Sequence, residues 1–310
     1  MTEIAVLLPC YNEEAAIGKT VGDFHAALPT AKIYVYDNNS SDRTAAVARE
    51  AGATVRCEMR QGKGNVMRRM FADVEADIYV LADGDDTYDA SVAPALIRKL
   101  VEDGLDIVTG RRIHTEAAAY RAGHVFGNKM LTGLTAMMFN VKLGDTLSGY
   151  RVMSRRFVKS FPFTAEGFGI ETELTVHAVR LLMPMAEVDT AYKERPAGSV
   201  SKLSTYRDGF KILFTIAQML REERPLLFFS MIGALFALVA AVLGVSIVLE
   251  FYRTGLVPRL PTALLATGLM VIAFLSVMSG LILDTVTRGR WANKRLAYLA
   301  MRGPKDLTLP

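Results

Sequence analysis

Up to residue 205 the apolar residues come in short, unbroken runs separated by stretches of helical spacing. The runs at 4–8, 33–36 and 78–82 have strand length and no alternation, and 53–56 and 106–109 read as further strands. That pattern marks strands covered on both faces. Helical patterns lie between them, reaching to about Leu28, then at about 44–51, 64–75 and near 90–103. Pro29 and Thr30 close the first, and Ser and Asp residues at 37–42 supply N-caps for the second. Strands alternating with helices predict an α/β domain built on a parallel sheet, with ligands taken at the carboxyl ends of the strands.

After Arg112 the pattern changes. Residues 117–139 place Phe126, Met130, Leu131, Leu134, Met137 and Met138 on one helical face, opposite Arg121, Asn128 and Lys129. Strand, helix and strand at 145–153, 168–182 and 185–192 complete the domain, and 194–202 is a loop. At 206–224, Tyr206, Phe210, Leu213, Phe214 and Leu220 form one face, while Arg207, Lys211, Gln218 and Arg221 form another. An ordinary surface helix fits this stripe, but the apolar run that follows favours a helix lying in a membrane interface.

Residues 225–249 and 260–283 carry no charge. At about 1.5 Å per residue, each is long enough to cross a hydrocarbon core of about 30 Å. The short connector makes them a transmembrane hairpin. Lys211, Arg221, Arg224, Arg288, Arg290, Lys294 and Arg295 lie outside it, and only Arg253 and Arg259 lie in the connector. The positive-inside bias therefore places both termini and the 1–205 domain in the cytosol, at the inner membrane. The tail, 284–310, reads as basic, amphipathic or loose.

Composition adds limits. The hydrophobic share of 51% is concentrated after residue 224, and the net charge of +4 comes without zinc-finger spacing or an aromatic-basic platform, which argues against nucleic acid. Cys10 and Cys57 fit neither a disulfide framework nor a metal motif, the default of a reducing compartment. The N-terminus runs straight into a strand and reads as having no signal peptide.

Four polar clusters, 9–14, 37–42, 83–86 and 110–112, fall at expected carboxyl ends of strands. In the third, Asp83 and Asp85 flank Gly84 where a core strand ends. Carboxylates crowded there repel unless a cation joins them. Two hard oxygen ligands at this spacing can share one Mg²⁺ or Mn²⁺ that also holds a diphosphate. An acidic Asx-type turn is the plainer alternative.

These residues carry a resemblance. Leu8-Pro9-Cys10-Tyr11-Asn12-Glu13-Glu14, Tyr36-Asp37-Asn38-Asn39-Ser40-Ser41-Asp42, Gly62-Lys63-Gly64, Asp83-Gly84-Asp85, Gly110-Arg111-Arg112 and Ser148-Gly149-Tyr150-Arg151 occur in order. Together they resemble a family 2 glycosyltransferase of the GT-A (Rossmann-like) fold. The similar branch acts on polyprenyl phosphates and includes dolichyl-phosphate mannose synthases and bacterial undecaprenyl-phosphate sugar transferases. Arg195 with Ser201-Lys202 is similar to a later basic motif of that branch.

The resemblance implies roles. Pro9, Tyr11, Glu13 and Asp37 would line base and ribose, and Lys63 would reach the base edge or the diphosphate. Asp83, Gly84 and Asp85 would hold the donor and its metal. The dolichyl relatives often carry glutamine where this chain has Thr87, so Asp86 is a second candidate there. Arg112, Arg121, Ser148, Arg151, Arg195, Ser201 and Lys202 would receive the acceptor's phosphate, because guanidinium forks match phosphate oxygens. Asp85, Arg112, Arg151 and Arg195 would carry the catalytic load. Glu171 and Glu173 open a helix, and there a capping or arginine-orienting part stands beside a catalytic one.

The expected reaction is transfer of a sugar from a UDP- or GDP-sugar to undecaprenyl or dolichyl phosphate. The phosphate acceptor is already anionic near pH 7, so the expectation is direct displacement with inversion and no catalytic role for His25, His114, His124 or His177. A hydroxyl acceptor, with Asp145 or Glu171 as base, is the alternative enzyme. A non-catalytic nucleotide-sugar scaffold is the alternative from another class. A processive polysaccharide synthase fits less well, since Gln218-Met219-Leu220-Arg221-Glu222 lacks the tryptophan of that signature. A homo-oligomer is also expected from paired hairpins in relatives.

Overall fold

The computed structural model describes residues 2–114, 133, 144–162, 169–193, 217, 218 and 220–309. The chain divides into two units, Met1–Ile212 with Asn293–Pro310, and Leu213–Ala292. The expected helix at 117–139 (apart from Gly133), the 194–202 loop and most of the 206–224 helix lie outside the described residues.

The first unit is built on β1 (Ile4–Cys10), β2 (Lys32–Asp37), β3 (Thr54–Cys57), β4 (Ile78–Leu81), β5 (Ile107–His114), β6 (Arg151–Ser154) and β7 (Met185–Tyr192). Their order is β3-β2-β1-β4-β6-β5-β7. The helices are α1 (Ile17–Ala27), α2 (Thr44–Glu50), α3 (Lys63–Asp73), α4 (Ala93–Glu102), α5 (Arg155–Ser160) and α6 (Ile170–Arg180). Val6, Leu7 and Leu8 of β1 and all of β4 are buried, which explains their unbroken apolar runs. α1 turns Ile17, Val21 and Phe24 onto the sheet, and α4, started by Pro94, turns in Leu96, Ile97 and Leu100.

The sheet is mixed rather than parallel. β6 runs antiparallel to both β4 and β5, pairing Val80 with Val152 and Val108 with Val152. A strand buried on both faces has the same apolar pattern in either direction, so periodicity cannot report this. The expected strand at 145–153 is also shorter, because residues 144–150 form a loop before β6.

The C-terminal segment is an integral part of the first unit. Residues Asn293 to Leu299 are helical, Pro304 is buried, and Leu307 packs against the core. Thr2 donates to the Thr308 carbonyl, and Tyr298 donates to Asp106 across 192 positions of sequence. Of the basic, amphipathic or loose segment expected there, the described residues are helical through Leu299 and then pack on the first unit, so looseness is the alternative that falls away.

The second unit contains α7 (Pro225–Thr254) and most of α8 (Leu260–Leu299). Both outrun the charge-free stretches, and both are long and apolar enough to cross a membrane. Their buried positions are mostly small: Gly233 and Ala240 on α7 with Pro225 and Ile247, and Ala266, Ala273, Gly280 and Thr287 on α8. A Cβ on Gly233 would lie 2.9 Å from the Ala273 carbonyl oxygen, and one on Gly280 would lie 3.2 Å from Leu226 Cα. Close backbone approach of this kind is how helices associate where apolar burial gives no drive. Leu235, Leu238, Phe274 and Ile282 point outward and exposed.

Candidate active site

Strand register brings three of the polar clusters together. β1 pairs Cys10 with Asp37 of β2, and Leu7 with Leu81 of β4, so the loops after all three strands leave one rim side by side. The first two are laced to each other. Asn12, in left-handed backbone (φ 54°), accepts from the Ser41 N–H and donates its own N–H to Ser40 Oγ. The Glu13 N–H donates to Thr44 Oγ1, while the Glu13 carbonyl opens α1 by accepting from Ala16 and Ile17. Pro9, Tyr11 and Glu13 all retain partial exposure at this rim.

Asp37 is 6% exposed. Its Oδ2 accepts from the Ser40 N–H, whereas Oδ1 is buried with no partner among the described residues. A buried polar atom left unpaired costs about 1–3 kcal/mol, so this oxygen suits a hydroxyl or N–H brought by a ligand. The next residue, Asn38, fixes the neighbouring loop: its amide donates to the Glu58 and Arg60 carbonyls and its oxygen accepts from the Gly62 N–H. Gly62 (φ 123°) takes a conformation closed to other residues, and Lys63 then begins α3.

The acidic turn follows β4. Asp85 is buried, and its Oδ1 accepts from Thr87 Oγ1 at 2.6 Å and from the Thr87 N–H. Thr87 thus orients a carboxylate from beneath. Asp86, at φ 56°, pairs with Lys19 of α1 at 2.9 Å. A Cβ on Gly84 would lie 2.3 Å from Cys10 Sγ, so only glycine allows the turn to sit on β1. Burial, then Glu13 and Asp83, push the Cys10 thiol up and keep it neutral.

Asp83 projects into the site. The Lys63 ammonium binds Asp83 Oδ1 at 2.5 Å and Glu171 Oε1 at 2.7 Å. Burial opposes the ammonium charge, but the two carboxylates outweigh it and hold Lys63 above the usual lysine range. Burial likewise works against Glu171, and Lys63 overrides it, keeping that carboxyl low. Asp83 Oδ2 faces Gly149, where a Cβ would come within 2.7 Å. Among the described residues no three His, Cys, Asp or Glu side chains converge on one point. Two aspartates on a turn with a glycine-cleared flank fit an ion whose other ligands come from a diphosphate and water.

Of the remaining predicted residues, Ser148, Arg112 and Arg151 are described. Gly149 donates its N–H to the Tyr88 hydroxyl, and Ser148 Oγ donates to the Gly110 carbonyl. Arg112 on β5 is engaged in a two-pronged pair with Asp145, at 2.7 and 2.9 Å, and stacks over Tyr192. Arg151 is fully buried. It donates to the carbonyls of Ser148, Thr146 and Glu171 and to Thr175 Oγ1, while Nη1 has no partner among the described residues. Burial lowers its pKa to about 10. Arg121, Arg195, Ser201 and Lys202 lie outside the described residues. The packed rings of Tyr88, Tyr150 and Tyr192 floor this side of the rim. Their spacing in sequence gives no hint that they meet.

His177 lies elsewhere, between Phe157 and Phe161 with Ser160 at 3.1 Å, and burial lowers its pKa to about 3.

Comparison with known proteins identifies the family and the fold. Residues 5–161 match the family model for glycosyl transferase family 2. Glycosyltransferase AglJ of Haloferax volcanii is 32% identical over 251 residues, covering 80% of this chain and 81% of that protein. The dolichyl-phosphate hexose transferase of the same organism is 31% identical over 222 residues, 72% of this chain and 96% of that one. Glucosyl-3-phosphoglycerate synthase of Mycobacterium tuberculosis, solved with Mn²⁺, UDP and phosphoglyceric acid, superposes with a TM-score of 0.55 at 25% identity, over 71% of this chain and 78% of that one. The first unit thus has the GT-A fold, and the chain is a member of glycosyl transferase family 2.

Proposed function

We propose that the protein is an inverting, metal-dependent transferase that moves a sugar from a UDP- or GDP-sugar to a polyprenyl phosphate at the cytoplasmic face of a membrane. The carrying observation is the shared rim, where Asp37, with one oxygen that has no partner among the described residues, and the Asp83–Asp85 turn follow the two strands that flank β1. Strands two apart in a sheet lie roughly 10 Å from each other, a span that suits the two ends of a nucleoside diphosphate. Similarity to a dolichyl-phosphate hexose transferase supports the lipid acceptor, and two apolar helices support its presentation at a bilayer.

In this reading Asp37, Tyr11, Pro9 and Glu13 receive base and ribose, and Asp83 with Asp85 holds Mg²⁺ or Mn²⁺. The ion, when bound, would neutralise the diphosphate leaving group. Thr87 keeps Asp85 oriented, and Gly84 and Gly149 let the turn and the sugar side approach closely. Arg112, whose Nε and Nη2 are held by Asp145, would offer its remaining Nη1 edge to the acceptor phosphate, and Arg121, Arg195, Ser201 and Lys202 would supply the rest of the basic set. Arg151 and Ser148, expected at the acceptor phosphate, are instead fully buried with donors spent on the Gly110, Thr146, Ser148 and Glu171 carbonyls, so in this reading they hold the 146–150 loop rather than touch the acceptor. A monoester phosphate is already anionic near neutral pH, its second pKa lying near ~6, so the protein's work is to align two mutually repelling phosphates about one carbon.

The test is to incubate detergent-purified protein with Mn²⁺, undecaprenyl phosphate and a panel of UDP- and GDP-sugars, and to measure nucleoside diphosphate release. Release should need both lipid phosphate and metal, and Asp85→Ala should lower it about 10²–10³-fold. Release independent of the lipid would favour a hydroxyl acceptor. Nucleotide binding without any release would favour the scaffold.

A further inference from the structure

The Lys63 ammonium occupies one of the two oxygens that Asp83 could offer a divalent ion. It sits 2.5 Å from Asp83 Oδ1 and 2.7 Å from Glu171 Oε1, with a third of its side chain still open to solvent. The arrangement is built from both sides. Lys63 is fixed at the start of α3 by Gly62, which Asn38 holds through its side-chain oxygen. Glu171 is fixed in the first turn of α6, where its carbonyl accepts from the buried Arg151. The other oxygen of Asp83 faces the Gly149 backbone. A divalent ion reaching Asp83 must therefore displace the ammonium or settle next to it, and like charges a few ångströms apart repel.

The charges point to the order of events. Asp83, Asp85 and Glu171 against Lys63 leave a formal surplus of two negative charges, which one divalent ion cancels. An incoming diphosphate then offers the ammonium new oxygens within reach of the acidic turn. Glu171 keeps Lys63 close throughout, because it remains a partner after Asp83 is surrendered.

We propose that Lys63 is a tethered competitor for the divalent ion: it holds Asp83 while the site is empty and yields it when a nucleoside diphosphate arrives, so that metal and nucleotide load together. Glu171 is the positioning residue that keeps the released ammonium beside the diphosphate. The proposal rests on the donor-site reading of the acidic turn. By linkage, whatever nucleotide adds to metal affinity, metal adds equally to nucleotide affinity.

The measurement is free Mn²⁺, counted by electron paramagnetic resonance, over full-length protein in detergent, with and without UDP or GDP. Without nucleotide, Lys63→Gln should bind Mn²⁺ roughly tenfold more tightly than the wild type. Lys63→Arg should bind as the wild type does, and Lys63→Gln with Asp83→Asn should lose the gain. Glu171→Gln should bind Mn²⁺ more weakly than the wild type, since the ammonium then belongs to Asp83 alone. Nucleotide should strengthen Mn²⁺ binding in the wild type and add little in Lys63→Gln.

If Lys63→Gln binds Mn²⁺ no more tightly, while nucleotide-dependent binding in the wild type is lost in Asp83→Asn, the competition is refuted and the donor site stands. If Lys63→Gln and Glu171→Gln shift affinity in the same direction, the cluster is a structural brace and the proposal fails. If Asp83→Asn binds Mn²⁺ like the wild type with and without nucleotide, the donor-site reading falls and takes the proposal with it.

Discussion

Asp106 and Asp37 are both almost completely buried, at opposite ends of one sheet, and their surroundings differ. Asp106, just before β5, is saturated: Oδ1 accepts from Ser154 Oγ and Arg156 Nε, and Oδ2 from Arg156 Nη2 and the Tyr298 hydroxyl. Arg156 also stacks 4.7 Å over the Tyr298 ring. Asp37, at the end of β2, keeps one oxygen without a partner among the described residues, and on the other side of β1 Asp83 pairs with Lys63. A buried carboxylate with every lone pair taken ties chain segments together, here the C-terminal segment to the sheet. One left partly unsatisfied keeps capacity for a ligand, and the fold carries the cost until the ligand comes.

The strongest way to break this comparison is to swap insults between the rims. Asp106→Ala strands the Arg156 guanidinium and should lower unfolding free energy by about 3–5 kcal/mol, while turnover per folded molecule is retained. Asp83→Asn should do the reverse, abolishing turnover with a shift of no more than about 1 kcal/mol, because Lys63 keeps Glu171. Denaturant melts in detergent, run beside the release assay, decide it. Equal losses of stability would erase the distinction.

A second variant sharpens the carboxyl rim alone. Gly149→Ala places a methyl 2.7 Å from Asp83 Oδ2. It should raise the metal concentration needed for half-maximal rate about tenfold, since small misplacements of a reacting constellation are costly. An unchanged metal requirement would mean that Asp83 is not held by that contact.

Further from the site, His177 gives a pH signature. Its folded pKa is about 3, against an ordinary value of 6.5, because burial among Phe157, Phe161 and Ser160, with Lys294 nearby, disfavours the charge. Between those values the unfolded chain binds a proton that the native state refuses. Stability should therefore fall as pH drops below 6.5, by up to about 1.4 kcal/mol per unit, and level off near pH 3. His177→Phe should flatten that limb of a pH-resolved melt.

The smallest effect belongs to Tyr298→Phe, which keeps the ring over Arg156 and deletes one hydrogen bond to Asp106. A loss of about 1 kcal/mol is expected. No loss would mean that the C-terminal segment is held by packing alone. Burial, then Asp106, push the Tyr298 phenol up to about 12, so the hydroxyl remains a donor throughout the neutral range.

Several features were legible in the sequence because they belong to contiguous residues. Strand and helix positions followed from periodicity, the rim clusters from polar residues at strand ends, and the hairpin from charge-free length. Asp83 and Asp85 announced themselves by crowding. What the sequence could not report depends on which distant residues meet. β6 reverses direction without changing its apolar pattern. Arg112 spends its fork on Asp145, 33 positions away, and Lys63 finds Asp83 and Glu171 only because α3, β4 and α6 converge. The helix past residue 283 read as a basic tail because its polar residues look solvated in isolation. Its last turn is instead anchored through Tyr298 to a buried aspartate 192 positions earlier. Local chemistry determined which groups this protein carries; tertiary contact decided which charges are satisfied and which remain open to a ligand.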